Sequence, residues 1–299
     1  MSKLLILKGL PASGKSTYAK SLVASSGNTG RVNRDDLREM IFNGKWTRDR
    51  EKIIIDVEKA IASVLLDHNH SVVVDDTNFK ADFWKYFHGR ETVIQEEAPT
   101  LETKTFDTPI EECIRRDSLR ANPVGRNVIV KMSARNGLLN WPDKPIVLVD
   151  IDGTLAASTG REKFLQGDKK DWKSYYASLG TDVPIVHIFK WVAELSKDHT
   201  IVIVSGRGAE CSEDTIKWFE KIWEENPLFP ELNVPRFPVF QWFFRDAGDR
   251  RPDNIIKLEV LKLLPTKPVL VIDDRPCVVR AWREAGLRVI PVAGDCPEF

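Results

Sequence analysis

The sequence predicts an α/β protein of two domains, each a parallel sheet with helices packed against it, and three observations carry that expectation. Short apolar runs alternate with longer helix-patterned segments along the chain. Glycine-rich or acidic motifs stand directly after several of those runs, where parallel sheets place their ligand sites. A proline-bearing polar stretch breaks the rhythm near the middle.

In the first half the apolar runs are Leu4–Leu7, Ser71–Val74 and the weaker Glu102–Phe106. In the second they are Ile146–Val149, Thr200–Val204, Val239–Phe243 and Val269–Ile272, with helical periodicity between them, as over Ile255–Leu264. Asn140-Trp141-Pro142-Asp143-Lys144-Pro145 ends one helix pattern just before a new strand, so the expected domains are residues 1–140 and 145–299. No repeat, low-complexity tract or heptad seam is visible, which excludes a solenoid and a coiled coil.

At 299 residues, 42% hydrophobic and 29% charged, the chain has globular values and room for two cores. Its 44 basic residues balance 44 acidic ones, so any attraction to a polyanion must come from local clusters. Cys113, Cys211, Cys277 and Cys296 form no CxxC pair, which argues against a zinc knuckle or a disulfide framework and fits a reducing compartment. Leu4–Leu7 stops at Gly9, too short for a signal segment or a membrane span. The expectation is a soluble, intracellular protein with no membrane partner.

Gly9-Leu10-Pro11-Ala12-Ser13-Gly14-Lys15-Ser16 fits GxxxxGK[ST], after a strand-like run and before the helix-like Thr17–Val23. In such a loop backbone N–H groups close around phosphate, Lys15 reaches the β/γ-phosphates and the Ser16 hydroxyl holds Mg²⁺. Gly9, Ser13, Gly14, Lys15, Ser16 and Thr17 are therefore the expected contacts to ATP. Downstream, Asn33-Arg34-Asp35-Asp36-Leu37-Arg38 opens a helix. Asn33 or Asp35 can simply cap it. Arg38, one turn after Asp35, adds what a hydroxyl acceptor needs: a carboxylate to take the proton and a guanidinium to grip a substrate phosphate. Asp75 and Asp76 end the next strand, at a ligand-binding edge or in an Asx turn. Arg115, Arg116 and Arg120 lie on the helix pattern Ile110–Arg120. Arg116 and Arg120 share a face and suit a lid over a transferring phosphoryl group, or a solvated basic face.

The second half carries Asp150-Ile151-Asp152-Gly153-Thr154-Leu155 straight after a strand. Alternation puts Asp150 and Asp152 on one side, so one carboxylate can attack phosphorus while the other protonates the leaving oxygen, with a divalent cation relieving their repulsion. Two other strands end in Ser205-Gly206-Arg207, a phosphate-holding hydroxyl and guanidinium, and in Asp273-Asp274-Arg275, of which Asp274 is the expected metal ligand beside Asp150 and Asp152. Lys257 can hold the nucleophile's charge or be solvated on its helix. Asp253 is a helix cap or an active-site acid. Phe237–Phe244, with Trp242, is a core strand in preference to a base-stacking platform.

Through GLPASGKST, NRDDLR, DDTN and the Arg116–Arg120 helix, and then DIDGTLA, SGR and IDDR, the chain resembles the bifunctional phage polynucleotide kinase/3′-phosphatase family over nearly its full length. The resemblance implies an N-terminal P-loop kinase and a C-terminal haloacid-dehalogenase-like, Rossmannoid phosphatase. It implies Lys15 and Ser16 on ATP·Mg²⁺, Asp35 as general base toward a 5′-hydroxyl, Arg38 on the substrate phosphate and Arg120 on the transferring group. Asp150 becomes the phosphatase nucleophile and Asp152 its acid/base, with Arg161, Arg207, Asp253 and Asp274 completing that site. Implied partners are DNA or RNA ends bearing 5′-hydroxyl and 3′-phosphate, and a nucleic-acid ligase acting in the same repair, in a phage-infected host cell; a homo-oligomer is open. The segment Asn122–Asn127 departs from the family pattern and leaves Arg126 open as a lid residue. The segment Ala156–Val183, short for a cap and carrying Arg161, Lys163, Lys169, Lys170 and Lys173, suits a bulky polyanion. The competing expectation is a kinase for a nucleoside or sugar fused to an unrelated phosphatase.

Overall fold

The computed structural model describes residues 2–80, 99–157, 160–166, 170–171, 174–175, 178–225 and 239–292. The chain divides into two compact units, Met1–Val124 and Gly125–Phe299.

In the first unit β1 (Lys3–Gly9), β2 (Thr29–Val32), β3 (Ser71–Val74) and β4 (Thr100–Phe106) form a parallel sheet in the order β2-β3-β1-β4. Its helices are α1 (Lys15–Ser25), α2 (Arg34–Phe42), α3 (Arg48–Asp67) and α4 (Ile110–Ser118). Strand alternation sorts the core onto two faces. Leu4, Ile6, Val72 and Val74 pack against Leu37 of α2 and Ile54, Ala62 and Leu66 of α3, while Leu7 and Val73 meet Ala19 of α1 on the other side. Burying each such aliphatic side chain stabilises the fold by roughly 1.5–3 kcal/mol. β2 lacks an apolar run, since only Val32 of Thr-Gly-Arg-Val is buried, and it escapes sequence pattern for that reason.

In the second unit all five strands of the sheet run parallel, in the order β11-β10-β5-β8-β9. They are β5 (Ile146–Val149), β8 (Thr200–Gly208), β9 (Val239–Arg245), β10 (Leu270–Asp273) and β11 (Val289–Pro291). A short antiparallel pair, β6 (Ala156–Ala157) and β7 (Val183–Pro184), stands beside it. The helices are α5 (Arg126–Arg135), α6 (Val186–Leu195), α7 (Ser212–Glu225), α8 (Asp253–Glu259) and α9 (Pro276–Glu284). The helix expected over Ile255–Leu264 starts two residues earlier and changes to a 3₁₀ turn at Val260–Leu263. Trp242 packs edge-on to Phe219, centroids 5.0 Å apart, and Phe243 and Phe244 are buried, so these aromatics serve the core. Phe237 lies outside the described residues.

By packing, the break between units falls before α5. Asn127 and Lys131 of α5 each hold Asp246 Oδ1 at 2.7 Å. The Phe244 N–H of β9 donates to Asn127 Oδ1, and Arg126 pairs with Glu213 of α7 at 3.0 Å. As a packed unit the first half ends at Val124, and α5 with Arg126 packs in the second. Among the described residues no helix is long and apolar enough to cross a membrane, and Cys113, Cys211 and Cys277 are free thiols. Cys296 lies outside them.

Candidate active sites

In the first unit the glycine-rich loop leads from β1 into α1. Gly14 sits at φ 102°, a left-handed conformation, and caps α1 without any side chain occupying the helix N-terminus. No acidic residue lies in the first turn, so the exposed N–H groups and helix dipole suit a phosphate chain. Lys15 is buried and donates to Leu10 O (2.6 Å) and Ser13 Oγ (3.3 Å). Burial lowers its pKa, against the opposing pull of Asp75. Ser16 Oγ donates to Asp75 Oδ1 at 3.2 Å, a hydroxyl and carboxylate able to hold Mg²⁺ and its water shell. These residues fit an ATP·Mg²⁺ complex. Thr17 lies in the same turn of α1.

Asn33 caps α2: its side chain accepts from the Asp36 N–H at 3.0 Å and donates to the Asp75 carbonyl. Asp35 is therefore free of capping. Its side chain is 77% exposed and pairs with Arg38 Nη1 at 2.6 Å, while Arg38 is also held by Glu51 of α3 at 2.8 Å. Asp75 is tied to Arg31 (2.7 Å) and Asp76 to Arg34 (3.2 Å). On α4, Glu112 sits between Arg115 and Arg116 and relieves their repulsion; their hydrogen bonds hold its carboxyl down at about 2. A Cβ on Gly14 would lie 3.9 Å from Arg116 Nη1, which places that guanidinium at the phosphate loop. Arg120 follows the end of α4, 3.2 Å from Asp117 Oδ1. Glu51 and Arg31 stand in no motif, and Arg34, inside Asn33–Arg38, was not singled out there.

In the second unit β10, β5 and β8 are neighbours, so their C-terminal ends bring three separated motifs together. Lys257 of α8 is buried, 2.9 Å from Asp150 Oδ1 and 2.8 Å from Asp273 Oδ2. Burial alone would lower the lysine's pKa, but Asp150 and Asp273 hold it well above the ordinary value. Among the described residues Asp150, Asp273 and Asp274 offer ligand atoms within 4.8 Å of one another. Burial, then Asp273 and Asp274, push Asp150 well above the usual carboxylate range despite Lys257. Burial and Asp273 raise Asp274 to about 6. Asp274 Oδ1 is buried with no hydrogen-bond partner. A buried acidic trio with an orphaned oxygen fits a hard divalent cation. Gly153 is required beside it, at φ 79°, because a Cβ there would stand 1.9 Å from Asp274 Oδ2.

Asp152, expected among the metal ligands, points its carboxylate elsewhere. It is clamped by Arg207 (2.7 Å) and Arg161 (2.9 Å). Burial opposes its charge, but the two arginines hold it well below the usual range. Both arginines also grip Asp182, Arg161 at 2.7 Å and Arg207 at 2.7 Å. Asp182 stands just before β7 in Thr-Asp-Val, with no motif to announce it. Arg161 Nη1 is buried with no partner, a donor available to an oxyanion. Ser205 is buried, accepting from the Arg207 N–H at 3.2 Å. Asp253, in the first turn of α8, accepts from Arg245 and Arg275 and does not cap the helix. A Cβ on Gly206 would come within 2.7 Å of Asp253 Oδ1, so the acid adjoins the Ser-Gly-Arg strand end. Lys163 and Lys170 are exposed; Lys169 and Lys173 lie outside the described residues.

Comparison with known proteins also divides the chain in two, between residues 139 and 144, C-terminal to the break in packing. Residues 144–295 match the family model described as the polynucleotide kinase PNKP phosphatase domain, and residues 4–139 match one described as an AAA domain. A protein of Autographa californica nuclear polyhedrosis virus, whose name joins polynucleotide kinase and RNA ligase, is 27% identical over 99% of this chain. The chain spans only 43% of that relative's length. A solved chain titled as the Pnkp1/Rnl/Hen1 RNA repair complex is 26% identical, covering 99% of this chain and 97% of that one, with a TM-score of 0.40. A haloacid dehalogenase-like hydrolase from Streptococcus pneumoniae is 14% identical, covering 50% of this chain and 84% of its own, with a TM-score of 0.36. Since the phosphatase-domain match spans residues 144–295, half of the sequence, the chain belongs to the polynucleotide kinase PNKP phosphatase-domain family.

Proposed function

We propose that the chain heals nucleic-acid ends: it phosphorylates 5′-hydroxyl ends of DNA or RNA with ATP and removes 3′-phosphates. The observation that carries this reading is the occurrence in one chain of two clusters suited to phosphoryl transfer, a phosphate loop beside an Asp35/Arg38 pair and an Asp150/Lys257/Asp273/Asp274 cluster beside two buried arginines.

In the first site Asp35 accepts the proton of the 5′-hydroxyl as its oxygen bonds to the γ-phosphorus and the bond to ADP breaks. Its exposure lets a long strand approach. Arg38 holds the adjacent substrate phosphate, while Lys15, Arg116 and Arg120 neutralise charge on the transferring group. In the second site the Asp150 carboxylate bonds to the 3′-phosphorus and the bond to the 3′-oxygen breaks, with Asp152 supplying the leaving oxygen's proton. Water then attacks the aspartyl-phosphate, Asp152 taking its proton, and phosphate leaves. Arg161 and Arg207 bind the phosphoryl oxygens, and Lys257 holds the nucleophile. Asp152 must be released from the arginines to act as an acid, and phosphate oxygens entering against the guanidiniums supply the competing anion. A divalent cation held by Asp150, Asp273 and Asp274 would lower Asp150's pKa and screen the carboxylates from the incoming phosphate. Ser16 would hold the Mg²⁺ that accompanies ATP.

The proposed partners are ends left by nucleic-acid cleavage and a ligase that seals the healed ends. An oligonucleotide bearing 5′-hydroxyl and 3′-phosphate, given with labelled ATP and Mg²⁺, should gain label at one end and lose phosphate at the other, and a chelator should stop both. Phosphorylation of free nucleosides in preference to the oligonucleotide would overturn the assignment, as would full phosphatase turnover in excess chelator.

A further inference from the structure

Glu58 is an acid with no place in the proposed chemistry, yet it is buried in the first unit. It projects from α3 with its side chain 2% exposed. The charged groups facing it are Asp76 from the end of β3, Arg34 from the first turn of α2 and Glu51 from α3 itself. Arg34 Nε lies 3.6 Å from Glu58 Oε2 and 3.2 Å from Asp76 Oδ2. Among the described residues neither Glu58 Oε1 nor Asp76 Oδ2 receives a hydrogen bond, although the two carboxyl groups lie within hydrogen-bonding reach of each other.

Two buried carboxylates facing each other are costly if both are ionised, because each has an acceptor atom left without a hydrogen bond and each repels the other. A single proton removes both penalties, giving one carboxyl a donor and the other an acceptor. Burial first, and then Asp76, push Glu58 far above the carboxylate range, so Glu58 is the member that keeps the proton.

The pair connects to the reacting groups without a gap. Asp76 Oδ1 accepts the Arg34 backbone N–H at 3.2 Å, fixing the first residue of α2. Arg34 Nη1 faces Glu51 at 3.8 Å, Glu51 holds Arg38 at 2.8 Å, and Arg38 holds Asp35 at 2.6 Å. We propose that Glu58 is a positioning residue acting as a neutral acid: its protonated carboxyl donates to Asp76, which then holds Arg34 and with it the helix turn bearing Asp35 and Arg38. The inference rests on the kinase reading of that site and names how its acceptor half is oriented.

The test compares 5′-phosphorylation kinetics of the parent, Glu58→Gln and Glu58→Ala, with the 3′-phosphatase rate of each protein as a folding control. Gln is neutral and offers an N–H to Asp76, so E58Q should keep kcat and both KM values near the parent's. E58A should lose at least ~10-fold in kcat with KM for ATP little changed, since a displaced acceptor turn costs turnover more than nucleotide binding. E58Q as impaired as E58A would show that Arg34 needs an ionised Glu58 and would overturn the proposal; so would parental kinetics in both. Should E58A fail to fold, the infrared difference spectrum of parent minus E58Q at neutral pH still decides, by showing a protonated-carboxyl stretch or lacking one. A parent that phosphorylates no 5′-hydroxyl end would instead defeat the kinase reading, and the infrared band would then judge the neutral acid alone.

Discussion

The proposed function asks opposite services of Asp35 and Asp150, and their surroundings differ accordingly. Asp35 stands on the first turn of a helix with its side chain 77% exposed, steadied by one arginine. Asp150 is buried, ion-paired with a buried lysine and crowded by two more carboxyl groups. In the proposed chemistry a general base for a polymer end needs access, which an exposed side chain provides. A nucleophile that must attack a phosphate dianion needs desolvation and neighbouring positive charge. The second unit achieves that with buried ions whose mutual repulsion a cation must relieve. The Asp35–Arg38 pair is thus open to water on the carboxylate side, whereas Lys257 meets Asp150 and Asp273 with all three side chains buried.

Four measurements can break or sharpen that contrast. The largest effect is expected for Asp150→Asn, which should lower 3′-phosphatase turnover on the order of 10⁴-fold or more while sparing 5′-phosphorylation; loss of both activities in a protein that melts like the parent would mean a shared site. Asp35→Ala should do the reverse, costing the kinase about 10²–10⁴-fold, and a phosphatase defect of similar size would carry the same message. Next comes stability: Lys257→Met strands buried carboxylates and should cost about 3–5 kcal/mol in denaturant unfolding. Arg38→Met strands groups that water can reach and should cost roughly 1 kcal/mol or less. Equal costs would erase the distinction.

The smallest effect is the pH dependence of cation stabilisation. Asp150 and Asp274 have folded-state pKa values above the unfolded carboxylate value, Asp274 at about 6. The folded protein therefore binds more protons than the unfolded chain across that window, and without a cation its stability falls as pH rises through the folded values. Mg²⁺ should then raise the melting temperature by several °C at pH 7.5 and by less at pH 5, where protons already occupy the cluster. A shift independent of pH would show that the trio is not where the cation acts.

The two α/β halves, the phosphate loop, the acceptor helix and the aspartate pair after β5 were legible in the sequence because each is local. An apolar run of strand length, a glycine spacing or a DxD after a strand is written within about ten residues. β2 was not, since Thr-Gly-Arg-Val has a single buried apolar residue. The packing of α5 was not legible either: the proline stretch marks a helix end, whereas the contacts of Asn127 and Lys131 with Asp246 decide which sheet α5 packs with.

What tertiary structure alone decided is which charges meet. Asp182 has no motif and becomes a site residue only because β7 pairs with β6, bringing it against Arg161 and Arg207. Lys257 reads equally as a solvated helix lysine until α8 folds against β8 and α9 and it is buried between Asp150 and Asp273. Asp273 joins Asp150 and Asp274 in the acidic trio, while Asp152 leaves it for the arginines. The physical reason is range: periodicity and turn chemistry act between residues near in sequence, whereas burial and Coulomb interaction act between whatever the parallel strands make neighbours, and those alone give otherwise similar acids their different surroundings.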